Sequence, residues 1–376
     1  MKIKRALLTF LIRELHESKK IVVLYGARQT GKTTLSDDVL SGDNQRTLKI
    51  NADESRYVNI LSSRNFRKME LLVGGYDILF IDEAQRIPDI GINLKILHDQ
   101  LPAMKMLVTG SSSFELANKV KEPLTGRTIT YTLFPISLSE LKHHYNIYDL
   151  QNRLEEFMIY GMYPALFQFS PGHRKEKYLR ELASAYLYKD ILELSSIRNT
   201  SVLADLLRLI ALQIGNEVSL NELAQNLGMS PETVNAYINL LEKSFIVFRL
   251  HGFSRNLRKE ISKRDKIYFW DLGIRNTLIN NFSPLGMRND VGHMWENFMI
   301  AERLKYLSYS QMYANSYFWR VYTGSEIDYV EEREGRLYAY EIKYKKPKPK
   351  APKTWTENYG NNYQCITTEN FWEFVT

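Results

Sequence analysis

The sequence predicts an α/β protein in three parts: a P-loop unit on a parallel sheet, a helical stretch ending in a winged helix, and an α+β unit. Three observations carry this. An apolar run at 21–24 enters Gly26-x-x-x-x-Gly31-Lys32-Thr33 and then helix-forming residues. Residues 219–253 hold two capped amphipathic segments, a turn and an apolar strand. Alternating patterns on both sides of Gly335 read as a strand hairpin. The parts are expected at 1–145, 146–270 and 271–376.

At 376 residues the chain exceeds one typical domain. An apolar share of 44% with 19 glycines and 11 prolines excludes a disordered or collagenous class. A net charge of +7 suits a polyanionic partner, DNA among them. The one cysteine, Cys365, excludes an internal disulfide framework and fits a cytoplasmic setting. The opening "MKIKRALLTFLIRELHESKK" imitates a leader, but Arg13 and Glu14 break its apolar run. Leu7, Leu8, Leu11 and Leu15 instead form a helical stripe. No stretch reaches membrane-spanning length, so no membrane partner is expected.

The first unit is read from its phosphate chemistry. Gly26 and Gly31 permit backbone angles that turn successive N–H groups toward phosphate oxygens. The expected nucleotide-binding set is Gly26, Ala27, Arg28, Gln29, Thr30, Gly31, Lys32, Thr33 and Thr34. Lys32 would reach the β and γ phosphates, the Thr33 hydroxyl would ligate Mg²⁺, and the helix start adds positive potential. A second apolar strand, 78–81, ends in Asp82-Glu83, placed to hold Mg²⁺ and to polarise the attacking water. A third, in "MKMLVTGSSS", offers Ser111 as a sensor of the γ-phosphate or water, or equally as a helix N-cap.

Together "GARQTGKTTL", "LFIDEAQRIP", "LVTGSSS", "LTGRTITYTLFPISLSEL" and "YGMYPALF" resemble a bacterial and archaeal branch of the AAA+ ATPases. That resemblance implies a five-stranded parallel sheet, ATP hydrolysis and assembly of copies into a ring. It also implies that Arg127 is an arginine finger for a neighbour's γ-phosphate; a structural arginine at the strand start is the alternative. "GARQ" and "GMYP" stand where that branch carries "GPRQ" and "GGYP", and neither change removes a phosphate or metal ligand.

In the middle stretch, Tyr160, Tyr163, Phe167, Tyr186 and Tyr188 are expected to pack helices. Ser219 with Glu222 makes a capping box before Leu220, Leu223, Ala224 and Leu227. Ser230 then caps a helix with Pro231 first and Val234, Tyr237, Ile238 and Leu241 on one face. Its outer face, Glu232, Asn235, Asn239 and Glu242, lacks cations and is a poor DNA reader. The wing loop 255–266 is the better candidate, with Arg255, Arg258, Lys259, Lys263, Arg264 and Lys266. The alternative is a connector with a solvated basic loop.

In the last part, Asp328 precedes Glu341 by the length of a strand, a turn and a second strand, so the two carboxylates can face each other. Lys343 shares the face of Glu341, and Glu296 sits near the start of a predicted helix. Jointly Glu296, Asp328, Glu341 and Lys343 resemble the PD-(D/E)xK, restriction-endonuclease-like fold. The resemblance implies Mg²⁺ or Mn²⁺ on Glu296, Asp328 and Glu341, with Lys343 beside the scissile phosphate. Domains of this fold both cut and merely bind, and both readings stay open. Glu326 and Glu331 are expected to be solvated or flanking charges. The run 343–353, with Lys343, Lys345, Lys346, Lys348, Lys350 and Lys353 between prolines, either follows a phosphate backbone or is a solvated linker.

Overall fold

A computed structural model describes residues 2–42, 45–110, 124–185, 200–255, 265–321, 324–345 and 349–376. It divides the chain into two compact units, 2–135 and a second made of 136–242 with 246–376.

The first unit holds β1 (Ile21–Gly26), β2 (Thr47–Asn51), β3 (Ile78–Asp82), β4 (Lys105–Gly110) and β5 (Thr128–Leu133). Their order is β2-β3-β4-β1-β5 and every pairing is parallel, as the resemblance implied. β1 is buried at all six positions, the signature of a parallel strand covered on both faces. The flanking helices are α1 (Leu8–Glu17), α2 (Lys32–Ser41), α3 (Ser55–Leu61), α4 (Phe66–Val73) and α5 (Ile90–Gln100). The predicted first helix is α1, and it turns Leu11 and Leu15 inward. Val23, Ile50, Ile81, Leu94 and Val108 meet in the core. The register pairs Tyr25 with Gly110 and Asn51 with Asp82, which aligns the carboxyl ends of the central strands. Open parallel sheets bind ligands at that edge.

The second unit contains β6 (Glu217–Val218), β7 (Val247–Gly252), β8 (Asp265–Phe269), β9 (Asn315–Arg320), β10 (Glu326–Arg333), β11 (Arg336–Ile342) and β12 (Tyr363–Ile366). They form one sheet, β12-β11-β10-β9-β7-β8-β6. The parallel pairs His251–Tyr317 and Gly252–Phe318 join strands on the two sides of residue 270. Its helices are α6 (Leu138–Leu141), α7 (Ile147–Tyr160), α8 (His173–Ala185), α9 (Thr200–Leu212), α10 (Leu220–Leu227), α11 (Pro231–Lys243), α12 (Leu272–Leu278), α13 (Val291–Tyr309), α14 (Lys353–Tyr359) and α15 (Phe371–Val375).

Local chemistry sets these bounds. Ser219 accepts the Glu222 N–H at the start of α10, and Ser230 accepts the Thr233 N–H at the start of α11. Between them Gly228 ends α10 in the left-handed conformation. β7 and β8 then pair as an antiparallel hairpin. Asn239 and Glu242 do not form an outward face, contrary to expectation. Asn239 accepts from the Arg249 guanidinium at 2.8 Å and Glu242 takes the Arg249 N–H at 2.9 Å, so both are spent on β7.

Of the aromatics, Tyr163 is buried, Tyr160 stacks on Phe282 and Phe167 meets Phe157. Tyr186 and Tyr188 lie outside the described residues. In "GMYP", Gly161 has a steric purpose: a Cβ there would stand 2.0 Å from the Asp271 carboxylate. Asp271 takes the Met162 N–H and caps α12 through Ile274.

Two buried ion pairs tie α13 into this unit. Glu302 accepts the Leu138 N–H at 2.6 Å, while Lys305 bonds Glu302 at 2.7 Å and the Ile136 carbonyl at 3.4 Å. Arg303 forks onto Glu331, which is fully buried and not the solvated charge expected from its place on a strand.

Candidate functional site

The nucleotide loop is shaped by its glycines and held by a residue far from it in sequence. A Cβ on Gly26 would lie 2.3 Å from the Leu133 carbonyl oxygen, so β5 permits only glycine there. Gly31 precedes α2 at φ +92°, a left-handed conformation that frees the following N–H groups to face an anion. Thr30 closes the turn on the Ala27 carbonyl at 2.9 Å. Lys32 is buried, with its ammonium on the Gly26 and Ala27 carbonyls at 2.9 and 2.8 Å, directly across the loop mouth. Arg5 braces this turn from outside: its guanidinium donates to the Thr30 carbonyl at 2.6 Å and to the Phe134 carbonyl at 2.7 Å. Sequence reading missed Arg5, because a basic residue before an amphipathic helix carries no signal of what it will reach.

Around the loop mouth, oxygen donors converge from the start of α2 and the ends of β3 and β4. Thr33 donates its hydroxyl to one Asp82 oxygen at 2.7 Å. Thr109, fully buried at the end of β4, donates to the other, and the Glu83 N–H reaches that same oxygen at 3.1 Å. Hard oxygens on Thr33 and Asp82 in hydrogen-bond contact are the donor set Mg²⁺ takes beside a triphosphate, so these residues fit the ion. Glu83 has φ +54° and accepts from the Gln85 amide, which fixes its carboxylate next to the cluster. Thr33 and Thr34 are exposed, as are Gln29 and, in part, Arg28. Ser111 lies outside the described residues. Arg127 sits at the amino end of β5, where its carbonyl takes the Ile21 N–H. Its fork binds Asp99 at 2.8 and 3.1 Å, and this hydrogen bonding holds the Asp99 carboxyl below its ordinary value.

In the second unit the register Tyr329–Tyr340 brings Asp328 level with Glu341, as the hairpin reading expected. Asp328 accepts the Ile342 N–H at 2.8 Å and the Lys343 ammonium at 3.2 Å; that ammonium also meets Glu341 at 2.7 Å. Glu296, near the start of α13, is taken by other partners. Lys266 reaches it at 3.1 Å, the Tyr268 hydroxyl donates to the same oxygen, and His293 lies 3.9 Å from the other. Lys266 also pairs with Glu326 at 2.5 Å.

These contacts correct one expectation. Lys266 is not a wing-loop cation facing a phosphate backbone: it belongs to β8 and is 2% exposed among carboxylates. Glu326, expected to be a solvated or flanking charge, flanks the cluster and holds that lysine. Burial, with Glu296 and Glu341 close by, pushes Asp328 up to about 7 against the pull of Lys343 and Lys266. Burial also opposes the charge on Glu296, yet Lys266, His293 and Tyr268 hold it below the ordinary glutamate value. Among the described residues, no three His, Cys, Asp or Glu side chains are gathered to hold a metal ion. The donor set therefore does not fit a divalent cation, because each of the three expected carboxylates is engaged by an ammonium. Lys343 is likewise spent here and not free for the Lys-rich run.

Residues 18–142 match a family model described as an AAA domain, and the loop, Asp82 and the five-stranded sheet fall inside that match. Residues 18–142 are thus similar to an AAA-type domain. Beyond it, residues 151–285 and 291–370 match two domains of unknown function, DUF8612 and DUF4143. The chain is similar to an uncharacterized protein of Mycobacterium tuberculosis, 27% identical over 337 residues, covering 89% of this chain and 72% of the relative. It is also similar to one of Methanocaldococcus jannaschii, 27% identical over 302 residues, covering 75% and 66%. Among solved structures, a Walker-type ATPase of Pyrococcus abyssi aligns at 17% identity and TM-score 0.49, over 74% of this chain and 96% of that one.

Thr109 is, after Arg5, a second residue that sequence reading overlooked. Its signal was present, a hydroxyl at the carboxyl end of a buried strand, but the serines after it drew the assignment. The wing cations Arg258, Lys259, Lys263 and Arg264, and Lys346 and Lys348 of the later run, lie outside the described residues. Arg255 stacks over Tyr359 at 5.1 Å and Lys345 over Tyr344 at 5.3 Å. Among the described residues, no helix is long and apolar enough to cross a membrane.

Proposed function

We propose that the chain is a cytoplasmic ATP-hydrolysing switch that acts on DNA, gripping it through the C-terminal half without cutting it. The observation that carries the ATPase part is the grouping of Thr33, Asp82 and Thr109 at the mouth of a glycine-shaped loop. The residues Gly26 to Thr34 bind the triphosphate, with Lys32 leaving the loop carbonyls for the β and γ phosphates. Thr33 and Asp82 would hold Mg²⁺, which supplies charge neutralisation on the phosphate oxygens. Glu83 orients the attacking water, and Thr109 fixes Asp82; Ser111 is kept as the γ-phosphate sensor. In a ring, Arg127 would exchange Asp99 for the γ-phosphate of a neighbouring copy.

The DNA part rests on charge and arrangement. We read α10, α11 and the β7–β8 hairpin as a winged helix, and β9–β12 with α13 as a PD-(D/E)xK-like fold, within units of 1–145, 146–270 and 271–376. The net charge of +7 favours a polyanion, and the wing cations 255–264 with Lys345, Lys350 and Lys353 are the proposed contacts. The nuclease alternative asks Glu296, Asp328, Glu341 and Lys343 to hold Mg²⁺ or Mn²⁺ and cut. Their engagement by two lysines weighs toward gripping.

The test is fluorescence anisotropy of the intact chain on duplex, single-stranded and branched DNA, with an ATP analogue and with ADP, followed by incubation in Mg²⁺ or Mn²⁺. The reading expects affinities that differ by roughly fivefold or more between nucleotides, with strands left whole. Equal affinities would sink the switch. Cleavage that disappears in Asp328→Ala would establish the nuclease instead.

A further inference from the structure

The cluster in the second unit departs from a carboxylate metal site in one respect that the E-x-K pattern does not contain. Lys343 contacts its own strand's glutamate and the facing aspartate, as an adjacent lysine naturally does. Lys266 comes from β8, on the far side of β9 and β7 in the sheet order, and from another stretch of sequence. Its ammonium lies 3.1 Å from a Glu296 oxygen and 2.5 Å from a Glu326 oxygen. A divalent ion would sit 2.0 to 2.6 Å from hard oxygens of this kind, by the usual geometry of Mg²⁺ and Ca²⁺ sites. The lysine is 2% exposed, its head stands 5.4 Å from the centre of the Phe318 ring, and β8 is paired on both edges. An incoming cation would have to expel a buried ammonium paired with two carboxylates.

We infer that Lys266 is a resident cation: its ammonium stands between Glu296 and Glu326 in place of a divalent ion and keeps this cluster metal-free. The inference rests on the gripping reading above and adds its cause. It also makes the reverse claim, that without this charge Glu296 and Glu326 are left to take up a cation in its place.

The experiment titrates Mn²⁺ into the intact, nucleotide-free chain and counts bound ion by electron paramagnetic resonance, with thermal melting alongside. Parent protein, Lys266→Met, Lys266→Arg and Lys266→Met/Glu326→Gln are compared. Lys266→Met is expected to gain one Mn²⁺ site at least tenfold tighter than any in the parent. Its midpoint, lowered by roughly 10 °C through the unpaired carboxylates, should recover in Mn²⁺. The double variant should lose that site, and Lys266→Arg, which keeps a cation, should stay blind to Mn²⁺.

A folded Lys266→Met that binds Mn²⁺ no better than the parent overturns the inference and leaves the gripping reading intact. So does a Lys266→Met that fails to fold even with Mn²⁺, or a Lys266→Arg that binds the ion. A parent that binds Mn²⁺ in a manner abolished by Asp328→Asn overturns both.

Discussion

Thr33 and Asp82, 49 positions apart, share a 2.7 Å hydrogen bond that joins the start of α2 to the end of β3. The bond exists because parallel strands deliver their carboxyl ends to one edge, and because Gly31 turns the chain into α2 at that edge. Thr109 bonds the second Asp82 oxygen, so the carboxylate is oriented from both sides. Orientation fixed before the substrate arrives is what phosphoryl transfer requires, since its catalysis is mostly positioning and charge.

Arg5 is expected to matter to the same site without touching nucleotide. Its two hydrogen bonds fix the Thr30 carbonyl of the loop to the Phe134 carbonyl beyond β5. Arg5→Met should cost about 2–3 kcal/mol of stability, the scale of buried bonds to a charged group. It should also raise the KM for ATP more than it lowers kcat. Chemical denaturation and steady-state hydrolysis measure the two effects.

Glu302 and Lys305 form a pair in which both side chains are 1% exposed, and they anchor residues 136 and 138 to α13. Glu302→Gln leaves the ammonium without its counter-charge and should destabilise the unit by about 3–5 kcal/mol. The double change Glu302→Gln/Lys305→Met should cost less than the sum of the singles. Urea unfolding of the four proteins checks this double-mutant cycle.

Asp290 gives the fold an acid limit. Burial opposes its charge, but Arg288 and Arg275 prevail and lower its carboxyl to about 2. A depressed carboxylate stabilises the native state above its unfolded value near 3.9, and that stability fades as pH falls toward 2. With solvent screening allowed for, the contribution is about 1 kcal/mol. Asp290→Asn should therefore flatten the loss of stability between pH 5 and pH 2, followed by denaturant midpoints across that range.

The sequence was most readable where local chemistry decides. The loop from Gly26 to Thr34, the strand ending at Asp82, and the caps Ser219 and Ser230 all depend on neighbours within a few residues, and each stands where it was expected. The facing of Asp328 and Glu341 was also legible, because the hairpin turn at Glu334 and Gly335 sets the register. What stayed hidden depends on distant partners. A lysine at 266 looks like a wing cation until α13 delivers Glu296 and β10 delivers Glu326 to it. Glu331 looks solvated until Arg303 covers it. The pairing of β7 with β9, which makes one sheet from two expected domains, has no local signal at all. Arg5 and Thr109 belong to the same class: their residue types are ordinary, and only the fold supplies their partners.

If the loop is a working ATPase site, Lys32 is the residue whose loss it should feel most. Its ammonium rests on the Gly26 and Ala27 carbonyls at the loop mouth, within reach of an incoming triphosphate. The measurement is phosphate release from ATP and Mg²⁺ by the parent and by Lys32→Ala, both checked for folding by circular dichroism. Steady turnover by the parent is expected, with a loss of about 100-fold or more in the variant, the scale of removing one preorganised charge from a transition state. Equal turnover by a folded Lys32→Ala, or none by the parent, would contradict the ATPase reading.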